Sequence, residues 1–142
     1  MKKLSQELFY IDSNVFIYPL IYDSASVVKA HSSKNLLLKV AMGEVRGYTS
    51  VLTWDEVTYV ARKLLGLEES LKIGRMLLAF PNLKLLPIKV STIIKAQELM
   101  ENFGIKPRDS IHASIALENN TRTIASFDNE FDKVPKLKRI EP

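Results

Sequence analysis

Short apolar runs alternate along the chain with longer stretches in which apolar residues recur at helical spacing. A short apolar run between turn-forming residues predicts a buried strand, and the longer pattern predicts a helix with one buried face. The predicted strands cover residues 9–11, 45–49, 83–86 and 121–126, with a possible edge strand at 137–140. The first predicted helix begins at residue 13 or 14, and the second runs from residue 24 or 26 to residue 42. Further helices are predicted at 53–65, 68–80, 91–103 and 106–117, with a turn or short helix at 127–131.

Strands that alternate with helices in this way predict an α/β fold with a mostly parallel sheet, because parallel strands need long crossover connections, which are usually helices. The helices then cover both faces of the sheet, and the crossovers are right-handed. The 142 residues are most simply a single domain, 1–142, and a hydrophobic fraction of 46% supplies a full core.

Local signals predict where several of these helices start and stop. Asn14, or Ser13 before it, is the natural N-cap of the first helix, and Pro19 should end or kink that helix. Thr53 with Glu56 three residues later matches a capping box, which places Glu56 in the first turn of its helix. The glycines at positions 43, 66 and 104 are predicted to end three of the helices.

The composition narrows the kinds of site and segment to consider. No cysteine is present, which excludes disulfides and thiolate metal sites, and two histidines far apart argue against a histidine-rich zinc site. No apolar run is long enough to span a bilayer, and the charged residues 1–7 are not followed by the apolar segment of a signal peptide. These features favour a cytoplasmic protein with no membrane partner. A net charge of +4 favours polyanionic partners such as nucleic acid without deciding the matter.

Four carboxylates fall at comparable places in the predicted fold. Asp12 follows the first strand, Glu56 lies near the start of the helix after the second, and Asp109 opens a helix after a proline. Asp128 lies just beyond the fourth strand. In a parallel sheet, strand ends and helix starts collect at one edge, where open α/β sheets bind their ligands. The four side chains are therefore predicted to converge in one crevice.

Each of these acids also has a local explanation. Acids at helix N-termini stabilise the helix dipole, and aspartate is common in turns. Four carboxylates in one crevice, however, repel one another and resist joint ionisation unless a cation neutralises them. The pattern therefore favours a divalent metal site, and a hard, oxygen-ligated ion such as Mg²⁺ or Mn²⁺ suits it best.

Four segments in order along the chain resemble the motifs of PIN-domain nucleases. They are residues 10–17 (YIDSNVFI), 50–57 (SVLTWDEV), 107–116 (PRDSIHASIA) and 123–132 (TIASFDNEFD). The resemblance implies a three-layer, Rossmann-like PIN domain with a five-stranded, mostly parallel sheet. It also implies Mg²⁺- or Mn²⁺-dependent cleavage of RNA. Small stand-alone proteins of this kind are most often VapC-type toxins of VapBC toxin–antitoxin pairs, so an antitoxin and a homodimer are the implied protein partners.

The resemblance also assigns roles to residues. It makes Asp12, Glu56, Asp109 and Asp128 the catalytic, metal-binding acids, and it gives Ser126 the place of the hydroxyl residue that supports the last acid. Asp55 lies next to Glu56 and could be confused with it, but Glu56 aligns with the family acid. Asp132 is a more peripheral candidate.

Neighbouring residues have simpler interpretations. His112, three residues after Asp109, is more typical of a packed or hydrogen-bonded histidine than of a metal ligand. Lys106 and Arg108 flank Asp109 and could contact RNA phosphates, or they could simply be a solvated face.

The sequence leaves three alternatives open. A PIN nuclease of RNA maturation would act without an antitoxin, and an antitoxin gene immediately upstream would distinguish a toxin from it. A PIN-fold RNA-binding protein with little activity would fail a metal-titrated cleavage assay. A phosphotransfer or phosphatase domain would form an acyl-phosphate on the acid after the first strand, although the order of the other three acids disfavours it.

Overall fold

Residues 7–142 are described by a computed structural model. The N-terminal segment used to argue against a signal peptide lies outside this range except for Glu7. The elements follow one another as β1 (Leu8–Ile11), α1 (Ser13–Ile21), α2 (Val28–Ala41), β2 (Arg46–Ser50), α3 (Val51–Leu65), α4 (Leu67–Leu78), β3 (Leu83–Leu86), α5 (Val90–Phe103), α6 (Pro107–Glu118), β4 (Thr123–Ala125), a 3₁₀ helix (Asn129–Lys133) and β5 (Lys138–Ile140). Within residues 7–142, no helix is both long enough and apolar enough to cross a membrane.

The five strands form one sheet in the order β3-β2-β1-β4-β5, and every neighbouring pair is parallel. β1 lies at the centre, where Tyr10 is paired with Tyr48 of β2 on one side and with Ile124 of β4 on the other. The predicted α/β class and the parallel sheet are confirmed. The chain builds outward from β1 to β3 and then returns to β4, so the strand order reverses beside β1, at the kind of position where such sheets bind ligands.

Helices cover both faces of the sheet and enclose two separate apolar clusters. Alternate residues of a strand point to opposite faces, so Phe9 and Ile11 enter one cluster and Tyr10 enters the other. Helices α1 to α4 supply most of the first cluster, whereas the second combines residues of α5, α6 and the 3₁₀ helix with residues of the strands and loops. The molecule therefore has three layers, and the carboxyl ends of all five strands lie along one edge.

Several predicted element boundaries are wrong. The N-cap of α1 is Asp12, not Ser13 or Asn14, because the Asp12 carboxylate accepts a hydrogen bond from the Ser13 N–H at 2.8 Å. Pro19 does not end α1, which continues to Ile21. Helix α2 begins at Val28 instead of residue 24 or 26, and β4 covers only Thr123–Ala125 within the predicted 121–126.

The capping box at the start of α3 is also wrong. The helix begins at Val51, directly after β2, with Ser50 as its N-cap. Thr53 therefore lies inside the helix, fully buried, where its hydroxyl accepts a hydrogen bond from the Thr49 hydroxyl at 2.7 Å. Glu56 consequently lies in the second turn of α3, where the helix dipole gives little reason for a carboxylate.

Candidate functional site

Asp12 is the most deeply placed of the four predicted acids, with only 4% of its surface exposed. It links the end of β1 to the start of α1. One carboxylate oxygen, Oδ1, accepts the Ser13 N–H, and the other, Oδ2, accepts the hydroxyl of Ser126 at 2.6 Å. Burial raises the pKa of Asp12 above its ordinary value, which means that burial outweighs the stabilisation of the charged form by these donors and by nearby His112.

Ser126 joins the first and last of the predicted acids. Its hydroxyl donates to Asp12 and accepts the backbone N–H of Asp128 at 3.0 Å, and it also accepts the Asn14 side-chain amide at 3.2 Å. The carboxylate of Asp128 caps the 3₁₀ helix by accepting the Glu130 N–H at 2.9 Å. The ends of β1 and β4 thus share one hydrogen-bonded cluster beside the strand-order reversal.

Glu56 enters the same crevice from α3 and contacts His112 of α6. Its Oε1 lies 2.6 Å from Nε2 of His112, and that nitrogen lies 3.5 Å from Oδ1 of Asp12. On the other side of the ring, Nδ1 lies 2.6 Å from the hydroxyl of Tyr10, which is also 2.8 Å from Oγ of Ser50. The prediction that His112 is packed and hydrogen-bonded is confirmed, because the ring is buried and both of its nitrogens have partners. Although burial lowers the pKa of His112, the hydrogen bond to Glu56 and the charges of Asp12 and Glu56 raise it overall.

Asp109 completes the set from the first turn of α6. Partial burial raises its pKa, and the negative charges of Asp128 and then Asp12 add to this effect, so that the pKa is about 7. Burial and neighbouring carboxylates act in the same direction here, since both disfavour the ionised form. The structure therefore links Asp12 with Glu56 through His112 and with the backbone of Asp128 through Ser126, and Asp109 lies near enough for the charges of Asp128 and Asp12 to raise its pKa.

The donors suit a hard divalent cation. Within residues 7–142, no three histidine, aspartate or glutamate side chains already lie together as a metal-binding group. Mg²⁺ needs no such cage, since it keeps several waters and is usually held by one or two carboxylates plus substrate phosphate. Burial is the main reason why the pKa values of Asp12 and Asp109 are raised, and the repulsion that neighbouring carboxylates add to it is what a cation would relieve. In addition, Oδ1 of Asn14 is a buried oxygen without a hydrogen-bond partner in the part of the chain described. The residues therefore fit the ion in charge and in donor type.

Asp55, which could be confused with Glu56 in the sequence, and Asp132, the more peripheral candidate, lie elsewhere. Asp55 is exposed and lines a groove with Trp54 and Arg62, on a different side of α3 from Glu56. Asp132 forms an ion pair with Arg139, whose Nε and Nη2 lie 2.9 Å and 3.2 Å from its carboxylate oxygens.

Glu130 is a residue of this site that the sequence patterns did not indicate. It is 7% exposed, and its Oε1 accepts the backbone N–H of Lys106, the N-cap of α6, at 3.0 Å. The same carboxylate pairs with Lys133, whose Nζ lies 3.1 Å from Oε2, and its charge contributes to the raised pKa of Asp109. Glu130 thereby ties the 3₁₀ helix to the start of α6. No periodicity marks it, because it lies in a single short turn.

Comparisons with known proteins agree with this architecture. The family model described as "PIN domain" matches residues 9–137. Ribonuclease VapC2 of Methanocaldococcus jannaschii is 24% identical over an alignment of 151 residues. The alignment includes 98% of this chain and 97% of the relative.

Solved structures of similar fold include VapBC2 from Rickettsia felis bound to a DNA fragment from its promoter, with a TM-score of 0.71 and 19% identity. The match covers 94% of this chain and 98% of that one. Mycobacterium tuberculosis VapC20, described as a Sarcin-Ricin loop cleaving toxin, has a TM-score of 0.73 and 12% identity, with coverage of 94% and 99%. At these identities the two structures support the fold alone.

Proposed function

This chain belongs to the PIN-domain family, and from that premise we propose that it is a metal-dependent endoribonuclease, the toxin of a toxin–antitoxin pair. The observation that carries the proposal is the position of Asp12. This buried carboxylate is joined through Ser126 to Asp128 and lies within 3.5 Å of the histidine that contacts Glu56. Stability alone does not favour such a gathering of negative charge, whereas hydrolysis of a phosphodiester through a divalent cation requires it.

In this proposal Asp12, Glu56, Asp109 and Asp128 hold Mg²⁺ or Mn²⁺. When bound, the metal activates the attacking water and neutralises the charge that develops on the phosphate. The chain's own contribution is to fix the carboxylates. The hydrogen bonds from Ser13 and Ser126 orient Asp12, and the 3₁₀ cap orients Asp128. Pre-set ligands of this kind lose little entropy when they bind.

RNA as the substrate is supported by the charges around the crevice. Lys106 and Arg108 are exposed on either side of Pro107 at the start of α6, one turn or less from Asp109. Nζ of Lys29 lies 5.4 Å from the ring centre of Phe127, the residue between Ser126 and Asp128. Cationic side chains at the rim of an acidic site can hold the phosphates that flank the cleaved bond.

A protein partner is supported by exposed apolar surface on α3 and α4. The two helices enclose a groove of about 460 Å³, which we call the α3–α4 groove. Its large side chains include Trp54, Tyr59, Leu71 and Leu78, of which Tyr59 and Leu78 are 66% and 65% exposed. Surface of this kind commonly marks an interface. We propose that an antitoxin and a second copy of the chain are the partners, as the toxin–antitoxin complexes among the similar structures suggest.

The test is a cleavage assay with the purified chain, single-stranded and structured RNA, and increasing Mg²⁺ or Mn²⁺. We expect no cleavage in EDTA, restoration by either ion, and loss of at least about 100-fold in the Asp12→Asn variant. Asparagine keeps an acceptor for Ser13 and removes the buried charge, so the variant should fold. Undiminished metal-dependent cleavage by purified Asp12→Asn would contradict the assignment. Binding of RNA without cleavage by the wild type would instead indicate an RNA-binding protein.

A further inference from the structure

We propose that His112 is a positioning residue that holds the carboxylate of Glu56 at the metal site. The inference rests on the proposed function, because it concerns one of the four acids assigned to the metal. It assigns His112 no direct contact with the metal or with RNA. It explains what keeps Glu56, an acid on α3, in a fixed position relative to the acids that follow β1 and β4.

The anchor of the arrangement lies in the core. Tyr10 and His112 are both buried, with 0% and 1% of their surfaces exposed, and their rings make an edge contact with centroids 5.6 Å apart. The Tyr10 hydroxyl contacts both Nδ1 of His112 and Oγ of Ser50, so neither the ring nor the hydroxyl is free to turn. Nε2 is thereby aimed at Glu56, at a distance of 2.6 Å.

Glu56 depends on this single contact. Within residues 7–142, His112 is its only hydrogen-bond partner, and Glu56 itself is only partly buried, in the second turn of α3. A glutamate side chain that is left free loses considerable rotamer entropy when it is fixed on a ligand. A rigid donor removes much of that cost before the metal arrives. Because His112 and Asp109 share helix α6, the contact also sets the position of Glu56 relative to Asp109.

A purely structural histidine would not need this geometry. Any side chain of similar volume could fill the space beneath the site, and a hydrogen bond to Tyr10 involves only the Nδ1 atom of His112. The second nitrogen instead points out of the core to the carboxylate of a proposed metal ligand, as the hydrogen-bonding partners of metal ligands commonly do.

The experiment compares two substitutions at this position, His112→Gln and His112→Met, in the full chain without RNA. Glutamine and methionine have similar length and both are uncharged, so any effect of ring charge is common to the two variants. Only glutamine can donate a hydrogen bond to Glu56. Affinity for Mn²⁺ is measured by electron paramagnetic resonance, and folding is checked by the melting temperature.

We expect the glutamine variant to bind Mn²⁺ about tenfold or more tightly than the methionine variant, in line with the usual cost of losing such a partner. The difference should disappear when Glu56→Gln is added to both variants, because the group being positioned is then gone. Equal Mn²⁺ affinities of the two folded single variants would overturn the inference.

A second variant covers the case in which neither substitution folds. Tyr10→Phe keeps the buried ring and removes the hydroxyl that anchors His112, and we expect it to weaken Mn²⁺ binding several-fold. Unchanged affinity in folded Tyr10→Phe would contradict the proposed chain of contacts. Failure of the proposed function looks different, because the wild-type chain would then not bind Mn²⁺ in the crevice at all.

Discussion

Asp55 and Glu56 are adjacent along α3, but their side chains have different surroundings. Glu56 reaches His112 in the crevice, whereas Asp55 is exposed in the α3–α4 groove. We expect Glu56→Gln to lower the rate of RNA cleavage at least about 10-fold, because loss of a proposed metal ligand should cost no less than loss of a ligand's hydrogen-bonding partner, which costs about 10- to 100-fold. Asp55→Asn should change the rate less than about twofold, since surface substitutions away from a site have small effects. Initial rates at saturating Mg²⁺ measure both, and equal losses in the two variants would show that the assignment of the second acid is mistaken.

The raised pKa values in the crevice predict how stability depends on pH in EDTA. The pKa of Asp109 in the folded chain is about 7, and those of Asp12 and His112 are also raised. The folded chain therefore binds protons more tightly than the unfolded chain, so its stability rises as the pH falls from about 8 to about 5. The melting temperature in EDTA should increase over this range. Bound Mg²⁺ should raise the melting temperature more at pH 8 than at pH 6, because protons compete with the cation.

Two variants test whether the pH dependence of the melting temperature arises from the acids in the crevice. Asp109→Asn should flatten the pH profile in EDTA, because it removes a carboxyl group whose protonation is favoured by burial and by the neighbouring acids. Asp132→Asn is the matched control, since Asp132 is paired with Arg139 outside the crevice, and it should leave the slope in place. A melting temperature that falls steadily from pH 8 to pH 5 would contradict the predicted sign.

For individual residues, the sequence indicated the positions of the acids better than the positions of the residues that support them. Asp12, Asp109 and Asp128 lie at strand ends or helix starts, and such positions can be inferred from the order of the elements. The partner of Glu56, and the contact that holds the start of α6, could not be inferred in this way. His112 and Tyr10 are 102 residues apart, and the contact between Glu130 and Lys106 joins two separate turns. Contacts of this kind depend on the packing of α6 against the sheet, which no local pattern records.

At the scale of elements, helix starts were the least predictable feature. Thr53 and Glu56 form a sequence pattern that is typical of a helix start, but α3 begins at Val51 because β2 leads into it without a loop. Asp12 was interpreted as a strand-end carboxylate, and it is also the N-cap of α1. Helix ends were more predictable, since Gly104 has the left-handed backbone that commonly follows a helix.

The packing of α2 on β2 depends on a glycine. A Cβ added at Gly47 would lie 2.9 Å from Cγ1 of Val40 and 3.2 Å from Cδ1 of Ile11, both in the core. Gly47→Ala should therefore lower the free energy of unfolding by about 1–3 kcal/mol, the usual cost of overpacking a core. Urea denaturation measures the change, and Lys39→Ala on the exposed side of α2 serves as the control, expected within about 0.5 kcal/mol of wild type. If the urea midpoint of Gly47→Ala equals that of wild type, the packing of α2 on β2 can accommodate the added methyl group and the prediction is wrong.

For the molecule as a whole, the alternation of short apolar runs with helical stretches was sufficient to predict the layered, parallel architecture. It could not supply the strand order, because periodicity identifies an element without identifying its neighbour. The five-stranded sheet followed from the family resemblance, and the structure confirms it. The order matters for function, since the reversal between β1 and β4 brings Asp12 beside Ser126 and Asp128 although the chain separates them by more than a hundred residues.

The central claim is that carboxylates from four distant parts of the chain share a divalent cation. It is tested most directly by a crystal of the full chain soaked in Mn²⁺, with anomalous diffraction recorded at the manganese edge. We predict an anomalous peak in the crevice within bonding distance of carboxylate oxygens drawn from Asp12, Glu56, Asp109 and Asp128, and no peak there in an Asp12→Asn crystal. Manganese bound only elsewhere on the wild-type molecule, or an empty crevice at a concentration that supports cleavage, would contradict the account.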